Sequence, residues 1–598
     1  MTTSEPTGVD VESAVSDPAM EELHVRIVAG DATPPWSWTS RGRAYKKWVA
    51  DHPQRAAAKA LNRAPSLDYP RVETTYRAVD AQGFRGRWSG RMSVASAPVS
   101  AQTSTNLGCG FNPWVVGATA PVTGVPLGVH ESTGQDVSAD VLSWFKAGII
   151  ANPSAFVLSL PGLGKSTLIR KMFIGAVAQG HVPIVAGDIK PEYVDVTAAM
   201  VTPDGRRGQV ITLGHGRDQL NPLAAGALGS VIPRLEANRE KLRAAGIEEI
   251  IESTREAVHS RQVTMIVALV ELIRGQSLAD WEAMVLSVAL RELRSSEGFS
   301  FEHPPLITDL VDLIRRGNDS LRDKTSSTDA EHYRRQVHAL VLSLNALTDG
   351  SLGQIFAGHT TTPIDVSAPA ICIDVSAVAR GDKKLKAAVL LACWSDAYGA
   401  MEAAHVLADC DLSPQKYFLA ILDELWQVLG AGAGMVQRVD ELTRLNRTSG
   451  TGLLMITHTA RDLEALPNEV DVKTAMGFIE RAGMVICGGL PRGELDRLSG
   501  VLQFTSAESE LITSWSQGVP PDRTLPGEEL PPPLGRGRFM IKPSKDGSAG
   551  IPVRVVLTRT EIETGIHDTN SRFRQMLDRN DAAPPSAQDT PEQTMVMF

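Results

Sequence analysis

The residues best suited to chemistry lie in the segment SLPGLGKST, residues 159–167, which we call the P-loop. It follows a short apolar run, AFVLSL, and precedes a segment of helical pattern, TLIRKMFIGAVAQG. A glycine-rich turn between a strand and a helix can bind phosphate, because backbone N–H groups and the helix N-terminus face the anion. Lys165 would then place a cation on the phosphate oxygens, and the Ser166 hydroxyl would bind Mg²⁺. The alternative is a chance glycine turn.

The residues predicted to surround the phosphates are consecutive. They are Pro161, Gly162, Leu163, Gly164, Lys165, Ser166 and Thr167. Glycine leaves the backbone N–H groups open to the anion, where a Cβ would obstruct them. Ser159 stands at the first glycine of the usual motif, a position that shapes the turn rather than contacting phosphate. Pro161 lacks an N–H and removes one donor from the loop.

A second candidate is the pair of carboxylates that ends the apolar run YFLAILDE, residues 417–424. Beside a phosphate-binding loop, Asp423 would hold Mg²⁺ through water. Glu424 would orient the attacking water and take its proton. Without the loop, the same pair could be two solvated acids at a strand end.

A third group occurs in LTRLNRTSGTGLLMITH, residues 442–458. A strand that ends at His458 beside the strand of Asp423 and Glu424 would bring this imidazole near the terminal phosphate. Arg444 and Arg447 precede that strand, where an exposed guanidinium could reach the nucleotide of a neighbouring subunit. A solvated helix face would also explain both arginines, and His458 could be a hydrogen-bonded core residue.

Apolar runs separated by helical segments predict the parallel α/β sheet that must position these residues. Residues 226–350 instead carry apolar residues at helical spacing, which predicts an all-helical insertion. The predicted parts are a disordered tail (1–35), a small basic N-terminal domain (36–120), the first and second parts of the core (121–225 and 351–500), the insertion (226–350), a C-terminal extension with a hairpin (501–578) and a disordered tail (579–598).

The composition is that of a soluble globular protein. The chain has 598 residues, 43% hydrophobic and 21% charged, which suggests about two to four domains. We expect no membrane span, no signal peptide at the acidic start, and buried free thiols rather than a disulfide framework for the five cysteines. The net charge of -10 hides a basic stretch, residues 41–91, with 12 Lys or Arg against 4 acidic residues. That stretch could contact nucleic acid, acidic lipid or an acidic protein, or be a solvated face.

Together with the P-loop and the acid pair, three further segments resemble the HerA/FtsK superfamily. These are DIKPEY (188–193), LNPL (220–223) and VPLGVHESTGQDV (125–137). Within the superfamily the chain resembles the type IV secretion and conjugative-transfer ATPases, over roughly residues 120–575. The resemblance implies an α/β fold with a RecA-like P-loop core, a mostly parallel sheet, the helical insertion and a small N-terminal domain.

The resemblance also implies roles for single residues. Glu192 falls on an acidic position that helps to organise the site. Arg447 best matches the arginine that acts on a neighbouring subunit's nucleotide, with Arg444 second. The family's sensor strand usually ends in Thr-Gln, whereas this chain has Thr457-His458. An imidazole can donate and accept hydrogen bonds as an amide does, but it titrates near neutral pH.

The function implied is an ATP-hydrolysing, Mg²⁺-dependent motor of a type IV secretion or conjugative DNA-transfer system, which energises channel assembly or substrate transfer. It would form a homo-hexamer in the cytoplasm, peripherally attached to the cell membrane through secretion-channel proteins, with DNA as a further candidate partner. One alternative is a DNA-pumping translocase or coupling protein of the same superfamily. The other is an assembly scaffold that binds ATP with little turnover.

Overall fold

The computed structural model describes most of the chain from residue 121 to residue 567. Within that range it omits 297, 379–381, 431–434, 445–449, 467, 519–532, 544 and 546–548. Before it, the described residues are 20, 23, 26, 27, 35, 39–51, 79–80 and 83–84. The predicted disordered tails, 1–35 apart from those single positions and 579–598, lie outside the described residues.

Residues 1–111 form one compact unit and residues 112–598 another. The described part of the first unit contains helix α1 (Ser40–Asp51) and a two-stranded antiparallel pair, β1 (Val79–Asp80) and β2 (Gly83–Phe84). Met20, Tyr45 and Trp48 are buried together. Lys46 and Lys47 of α1 are exposed, so the described part of the basic stretch carries charge on its surface. Most of residues 52–91 lies outside the described residues.

The second unit is built on an eleven-stranded sheet. Its strands are β3 (Pro126–His130), β4 (Asp136–Ser138), β5 (Ser154–Leu158), β6 (Val182–Asp188), β7 (Gln209–Gly214), β8 (Ile371–Ala377), β9 (Phe418–Leu422), β10 (Thr451–Thr457), β11 (Met484–Cys487), β12 (Arg538–Lys542) and β13 (Ile551–Val555). Their order across the sheet is β4-β3-β13-β12-β11-β5-β10-β9-β6-β8-β7. The seven strands from β11 to β7 are parallel, which confirms the predicted α/β class with a mostly parallel sheet.

Both faces of this sheet are covered, as the apolar runs predict. Along β5, Phe156 and Leu158 belong to one hydrophobic cluster, whereas Ala155 and Val157 belong to another. Side chains alternate between the two faces of a strand, so the two clusters lie on opposite sides of the sheet. A strand buried on both faces needs apolar residues at every position, which is what AFVL supplies.

Helices connect the strands and cover the faces. Those of the core are α2 (Val141–Lys146), α3 (Lys165–Ala178), α4 (Val194–Ala199), α13 (Lys383–Asp409), α14 (Leu425–Leu429), α15 (Met435–Arg444), α16 (Arg461–Glu464), α17 (Glu469–Arg481), α18 (Arg492–Leu498), α19 (Ser506–Trp515) and α20 (Arg559–Glu563). Between β7 and β8 lie only helices in the described residues: α5 (Gly226–Ala237), α6 (Arg239–Ala244), α7 (Ile250–Arg274), α8 (Asp280–Ser296), α9 (Ile307–Arg316), α10 (Asp319–Lys324), α11 (Ala330–Thr348) and α12 (Gly350–Phe356). The predicted all-helical insertion is therefore confirmed, whereas the domain boundaries stay predictions.

The antiparallel edge of the sheet was not predicted. Strands β12 and β13 form a hairpin that pairs with β11 on one side and with β3 on the other. The C-terminal segment and the segment 125–137 thus extend the sheet that carries the P-loop. Strand pairing between segments more than 400 residues apart leaves no mark on the local sequence pattern of either one.

In the part of the chain that the structure describes, no helix is long and apolar enough to cross a membrane. Four of the five cysteines, Cys372, Cys393, Cys410 and Cys487, are described, and all four are buried free thiols, as predicted. Cys109 lies outside the described residues.

Candidate nucleotide-binding site

The predicted site residues lie at the carboxyl ends of four neighbouring strands, in the order β5, β10, β9 and β6. The P-loop follows β5, His458 follows β10, Asp423 and Glu424 follow β9, and DIKPEY begins at the end of β6. In the register of the sheet, Leu158 of β5 is paired with Thr457 of β10. Parallel strands end at a common edge, and this is why segments far apart in the sequence meet here.

The P-loop has the backbone conformation that phosphate binding requires. Gly162 and Gly164 have positive φ angles, 81° and 93°, a region that favours glycine. No atom would lie within 4 Å of a Cβ built on Gly162, so open space faces the backbone there. Gly164 caps the N-terminus of α3, whose first residue is Lys165.

The loop is braced by the hairpin of the antiparallel edge. The N–H of Gly537 donates to the carbonyl of Leu163 at 2.8 Å. A Cβ on Gly164 would lie 3.2 Å from the same Gly537 nitrogen, so this position needs glycine for its close approach as well as for its φ. The Ser159 side chain is fully buried, and its hydroxyl donates to the carbonyl of Leu160 at 3.2 Å. Ser159 therefore shapes the turn, in agreement with the role that its position in the motif suggests.

Lys165 is buried, with 8% of its surface exposed, and its ammonium group faces β10. Nζ lies 3.0 Å from Nδ1 of His458 and 3.5 Å from the carbonyl oxygen of Thr457. Burial lowers the pKa of Lys165, and the nearby carboxylates of Asp423 and Glu424 oppose that change. His458, which the sequence predicts near the terminal phosphate, thus contacts the P-loop lysine directly.

Asp423 and Glu424 are next to each other in the site but have different surroundings. Burial raises the pKa of Asp423, and Lys165 opposes this change. Glu424 is buried and has φ 52° and ψ 37°, a left-handed conformation that is uncommon for a residue with a Cβ. Its own N–H donates to Oδ1 of Asp423 at 2.8 Å. The backbone turn at Glu424 thus also holds one oxygen of the Asp423 carboxylate.

Three side chains contact the carboxylate of Glu424. Oε2 accepts from Nε1 of Trp426 at 2.6 Å, and Oε1 forms an ion pair with Nζ of Lys190. Nε2 of His458 lies 3.4 Å from the same Oε1. Burial alone would raise the pKa of Glu424, but the contacts with His458 and Lys190 outweigh it and hold the pKa well below its usual range. Glu424 is therefore held as a carboxylate.

The DIKPEY segment contributes more than the Glu192 that the resemblance identified. Asp188 is buried and accepts from the N–H groups of Glu192 at 3.1 Å and Tyr193 at 2.6 Å. Burial raises the pKa of Asp188 to about 6, against these hydrogen bonds. The hydroxyl of Tyr193 donates to Oδ2 of Asp423 at 3.2 Å. Oε2 of Glu192 is buried and has no hydrogen-bond partner among the described residues.

Lys190, Tyr193 and Trp426 are site residues that sequence reasoning missed. A usable signal was present for the first two, because DIKPEY follows a buried strand and its polar residues had to reach the same sheet edge. Ser166 and Thr167 lie in the first turn of α3, as predicted, and both are half-buried. Arg444 is the last residue of α15. Its side chain, and all of Arg447, lie outside the described residues, so both arginines stay predictions.

Comparison with solved structures identifies the fold. VirB4 of Thermoanaerobacter pseudethanolicus matches with a TM-score of 0.51 at 17% sequence identity, over 74% of this chain and 100% of the VirB4 chain. The chain has the fold of VirB4. The plasmid coupling protein TrwB in complex with ADP and Mg²⁺ matches with a TM-score of 0.39 at 10% identity, over 70% of this chain and 88% of TrwB.

Sequence comparison adds little to the VirB4 likeness. No protein-family model matches the chain. An uncharacterized protein of Bacillus anthracis is 23% identical over 416 residues. The match covers 64% of this chain and 60% of that relative's length.

Proposed function

We propose that the chain is a Mg²⁺-dependent ATPase and the motor of a type IV secretion or conjugative DNA-transfer system. The observation that carries the proposal is the meeting of Lys165, His458 and Glu424 at one edge of the sheet. A P-loop lysine, a polar sensor and a carboxylate base in one site are the parts that nucleotide hydrolysis needs.

The residues present fit a nucleoside triphosphate. The space at the Cβ position of Gly162 is open, helix α3 begins three residues later at Lys165, and Lys165 is buried. Backbone N–H groups and a helix N-terminus favour phosphate oxygens. On binding, Lys165 would turn from His458 to the β- and γ-phosphates, where its charge is better neutralised than by an imidazole.

The oxygen donors of the site also suit Mg²⁺, which prefers hydroxyl, carboxylate and water ligands. The Ser166 hydroxyl and the Asp423 carboxylate would hold it, the latter through water. Bound Mg²⁺ would neutralise charge that develops on the phosphates during transfer. No group of three or more His, Cys, Asp or Glu in the described residues would suit a dedicated metal cage, in keeping with an ion held partly by nucleotide and water.

Glu424 would act on the attacking water. Its carboxylate accepts the water proton as the water oxygen bonds to the γ-phosphorus and the bond from phosphorus to the bridging oxygen of ADP breaks. The products are ADP and inorganic phosphate. In this arrangement Asp423 would serve the metal and Glu424 would serve the water.

The proposed setting is a homo-hexamer in the cytoplasm, held at the membrane by secretion-channel proteins. The fold shared with VirB4 supports this setting. A DNA-pumping translocase or coupling protein is the related alternative. An assembly scaffold with little turnover is favoured by a different observation, namely that Lys190, Trp426 and His458 all engage the Glu424 carboxylate. In a scaffold this arrangement would be permanent.

A steady-state ATPase assay with and without duplex DNA separates these functions. We expect Mg²⁺-dependent hydrolysis by the wild type, and Glu424→Gln to bind ATP but lose turnover by at least about 100-fold, the scale of general-base catalysis. Lys165→Ala should weaken nucleotide binding itself. Glu510→Gln removes an exposed acid outside the site and is the matched control. Strong stimulation by duplex DNA would favour the translocase. ATP binding without turnover would favour the scaffold, and wild-type turnover by Glu424→Gln would show that the acid pair is misassigned.

A further inference from the structure

Tyr193 is the residue through which the DIKPEY segment reaches the acid pair. Its hydroxyl donates to Oδ2 of Asp423 at 3.2 Å. The other oxygen of that carboxylate, Oδ1, accepts the N–H of Glu424 at 2.8 Å. Each oxygen of Asp423 thus accepts from one of these two donors, Oδ2 from the segment that follows β6 and Oδ1 from the turn that contains Asp423 itself.

The ring of Tyr193 is packed in the protein core. It is fully buried and belongs to the hydrophobic cluster that also contains Val196 and Cys372. Its backbone N–H donates to Oδ2 of Asp188 at 2.6 Å, and Asp188 is the last residue of β6. The hydroxyl is therefore placed by the sheet itself, because β6 pairs directly with β9, the strand that ends at the acid pair.

We propose that Tyr193 is a positioning residue that aims the Asp423 carboxylate at the Mg²⁺ of the bound nucleotide. The inference rests on the proposed function, since it assumes that Asp423 faces Mg²⁺. A carboxylate oxygen has two lone pairs. The hydroxyl of Tyr193 occupies one lone pair of Oδ2, and the second lone pair can still accept from a ligand. Partners that orient a metal-facing carboxylate lower the cost of binding the ion, because the rotation of that carboxylate is already restricted.

The chain offers a matched control in Tyr333. That residue is also almost completely buried, and its hydroxyl donates to a buried acceptor, the carbonyl of Ile314, at 2.8 Å. It lies in α11 of the helical insertion, and its hydroxyl donates to Ile314 of that insertion rather than to a site residue. Tyr193→Phe and Tyr333→Phe each remove one buried hydroxyl, but only the first removes a donor to Asp423.

The experiment measures binding rather than turnover. A fluorescent, slowly hydrolysed ATP analogue is titrated into the full-length chain with Mg²⁺ and with EDTA, and the ratio of the two dissociation constants gives the tightening due to Mg²⁺. We expect Tyr193→Phe to reduce this tightening by about 10-fold, the lower end of the range for partners of metal-facing groups. The affinity of Tyr193→Phe for the analogue in EDTA should equal that of the wild type. Tyr333→Phe should keep the wild-type ratio, although both variants melt at a lower temperature than the wild type.

A double-variant cycle tests the route. If Tyr193 acts through Asp423, adding Tyr193→Phe to Asp423→Asn should change the Mg²⁺ effect no further. An unchanged ratio in Tyr193→Phe would overturn the inference and leave the proposed function intact. So would a Tyr193→Phe chain that fails to fold while Tyr333→Phe folds, since Tyr193 would then be a structural support. A wild-type chain that binds the analogue no better with Mg²⁺ would overturn the proposed function and the inference together.

Discussion

Nζ of Lys165 lies 3.0 Å from Nδ1 of His458. An ammonium group only donates hydrogen bonds, so Nδ1 is the acceptor, and in the neutral ring the proton is on Nε2. Nε2 faces Oε1 of Glu424 at 3.4 Å. One imidazole therefore connects the lysine that would bind ATP with the glutamate that would activate water. If Lys165 turns to the phosphates of bound ATP, Nδ1 of His458 loses its partner. The imidazole could then reorient relative to Glu424.

This connection predicts how His458 variants behave. A glutamine could accept from Lys165 through its oxygen and donate to Glu424 through its nitrogen, so His458→Gln should retain most of the ATPase activity. His458→Ala should be much slower, because both contacts are lost. Steady-state ATPase rates of the three proteins test this, and equal rates for His458→Ala and wild type would reduce His458 to a packing residue.

Lys190 supplies a second prediction, which concerns pH. Its contact helps to hold the pKa of Glu424 below its usual range. Lys190→Ala should therefore raise the pKa of Glu424, so that this base becomes protonated at a higher pH. The acid limb of the plot of rate against pH should then shift to higher pH. Lys190→Arg should keep the wild-type limb because the charge remains. Lys473 is exposed and far along the chain in α17, and Lys473→Ala is the control.

Rates of single-turnover hydrolysis are measured from about pH 8 down to about pH 4.5, close to the range where ordinary carboxylates titrate. The fall in rate at low pH is the acid limb that the prediction concerns. Coincident limbs for wild type and Lys190→Ala would show that Lys190 leaves Glu424 before catalysis. The contact would then belong only to the nucleotide-free state.

The contrast between Glu424 and Lys190 illustrates what the sequence could reveal. Asp423, Glu424 and His458 were predictable because each follows a buried run of strand length, and parallel strands bring their carboxyl ends to one edge. Lys190 and Tyr193 follow such a run too, but their contacts depend on register. Val185 of β6 is paired with Ile421 of β9, and this offset decides which side chain meets which carboxylate. Local patterns do not encode the register between strands that lie far apart in the chain.

The same limit applies to the edge of the sheet. The C-terminal extension was predicted to contain a hairpin, which β12 and β13 form, but the neighbours of that hairpin in the sheet were not predicted. That hairpin brings Gly537 onto the P-loop and places α20 against α3. The contact between the C-terminal segment and the P-loop is a tertiary contact. It depends on the pairing of the hairpin with β11 on one side and β3 on the other.

That bracing yields a third prediction, about stability. Glu561 of α20 forms an ion pair with Lys171 of α3 at 3.0 Å and contacts His567 at 3.0 Å. Burial would raise the pKa of Glu561, but hydrogen bonds from His567, from the N–H of Thr558 and from Lys171 lower it to about 2. At neutral pH, Glu561→Gln should lower the free energy of unfolding by about 2 kcal/mol, the scale of hydrogen bonds to a charged group.

The sign of the pH effect follows from the lowered pKa. The stabilisation is fully present above the unfolded pKa of a glutamate and is lost as the pH falls towards about 2. The difference between wild type and Glu561→Gln, measured by chemical denaturation, should therefore shrink below about pH 4. Glu563→Gln is the control, because Glu563 is exposed on the same helix and pairs only with exposed Arg559 among the described contacts. A difference that stays constant down to acid pH would contradict the ionic origin.

The last prediction concerns the arginines and decides whether the chain works as a ring. A guanidinium that stabilises the γ-phosphate of a neighbouring subunit contributes only after assembly, and such residues are worth about 10³–10⁵ in rate. Arg447→Ala should therefore bind ATP normally and hydrolyse it poorly, with a smaller effect for Arg444→Ala. Mixing Arg447→Ala with Lys165→Ala creates interfaces that pair an intact P-loop from the first variant with an intact arginine from the second. Part of the activity should return.

A second mixture supplies the control for that result. Lys165 and Glu424 belong to one site within a single chain, so mixing Lys165→Ala with Glu424→Gln leaves every site defective. Recovery of activity in the first mixture and none in the second would establish that Arg447 acts between subunits. Chains exchange in both mixtures, so exchange alone cannot explain a difference between them. Demonstrated exchange without recovery, together with a wild-type specific activity that does not depend on concentration, would contradict the ring. Arg447 would then lie on a solvated face of a self-contained site.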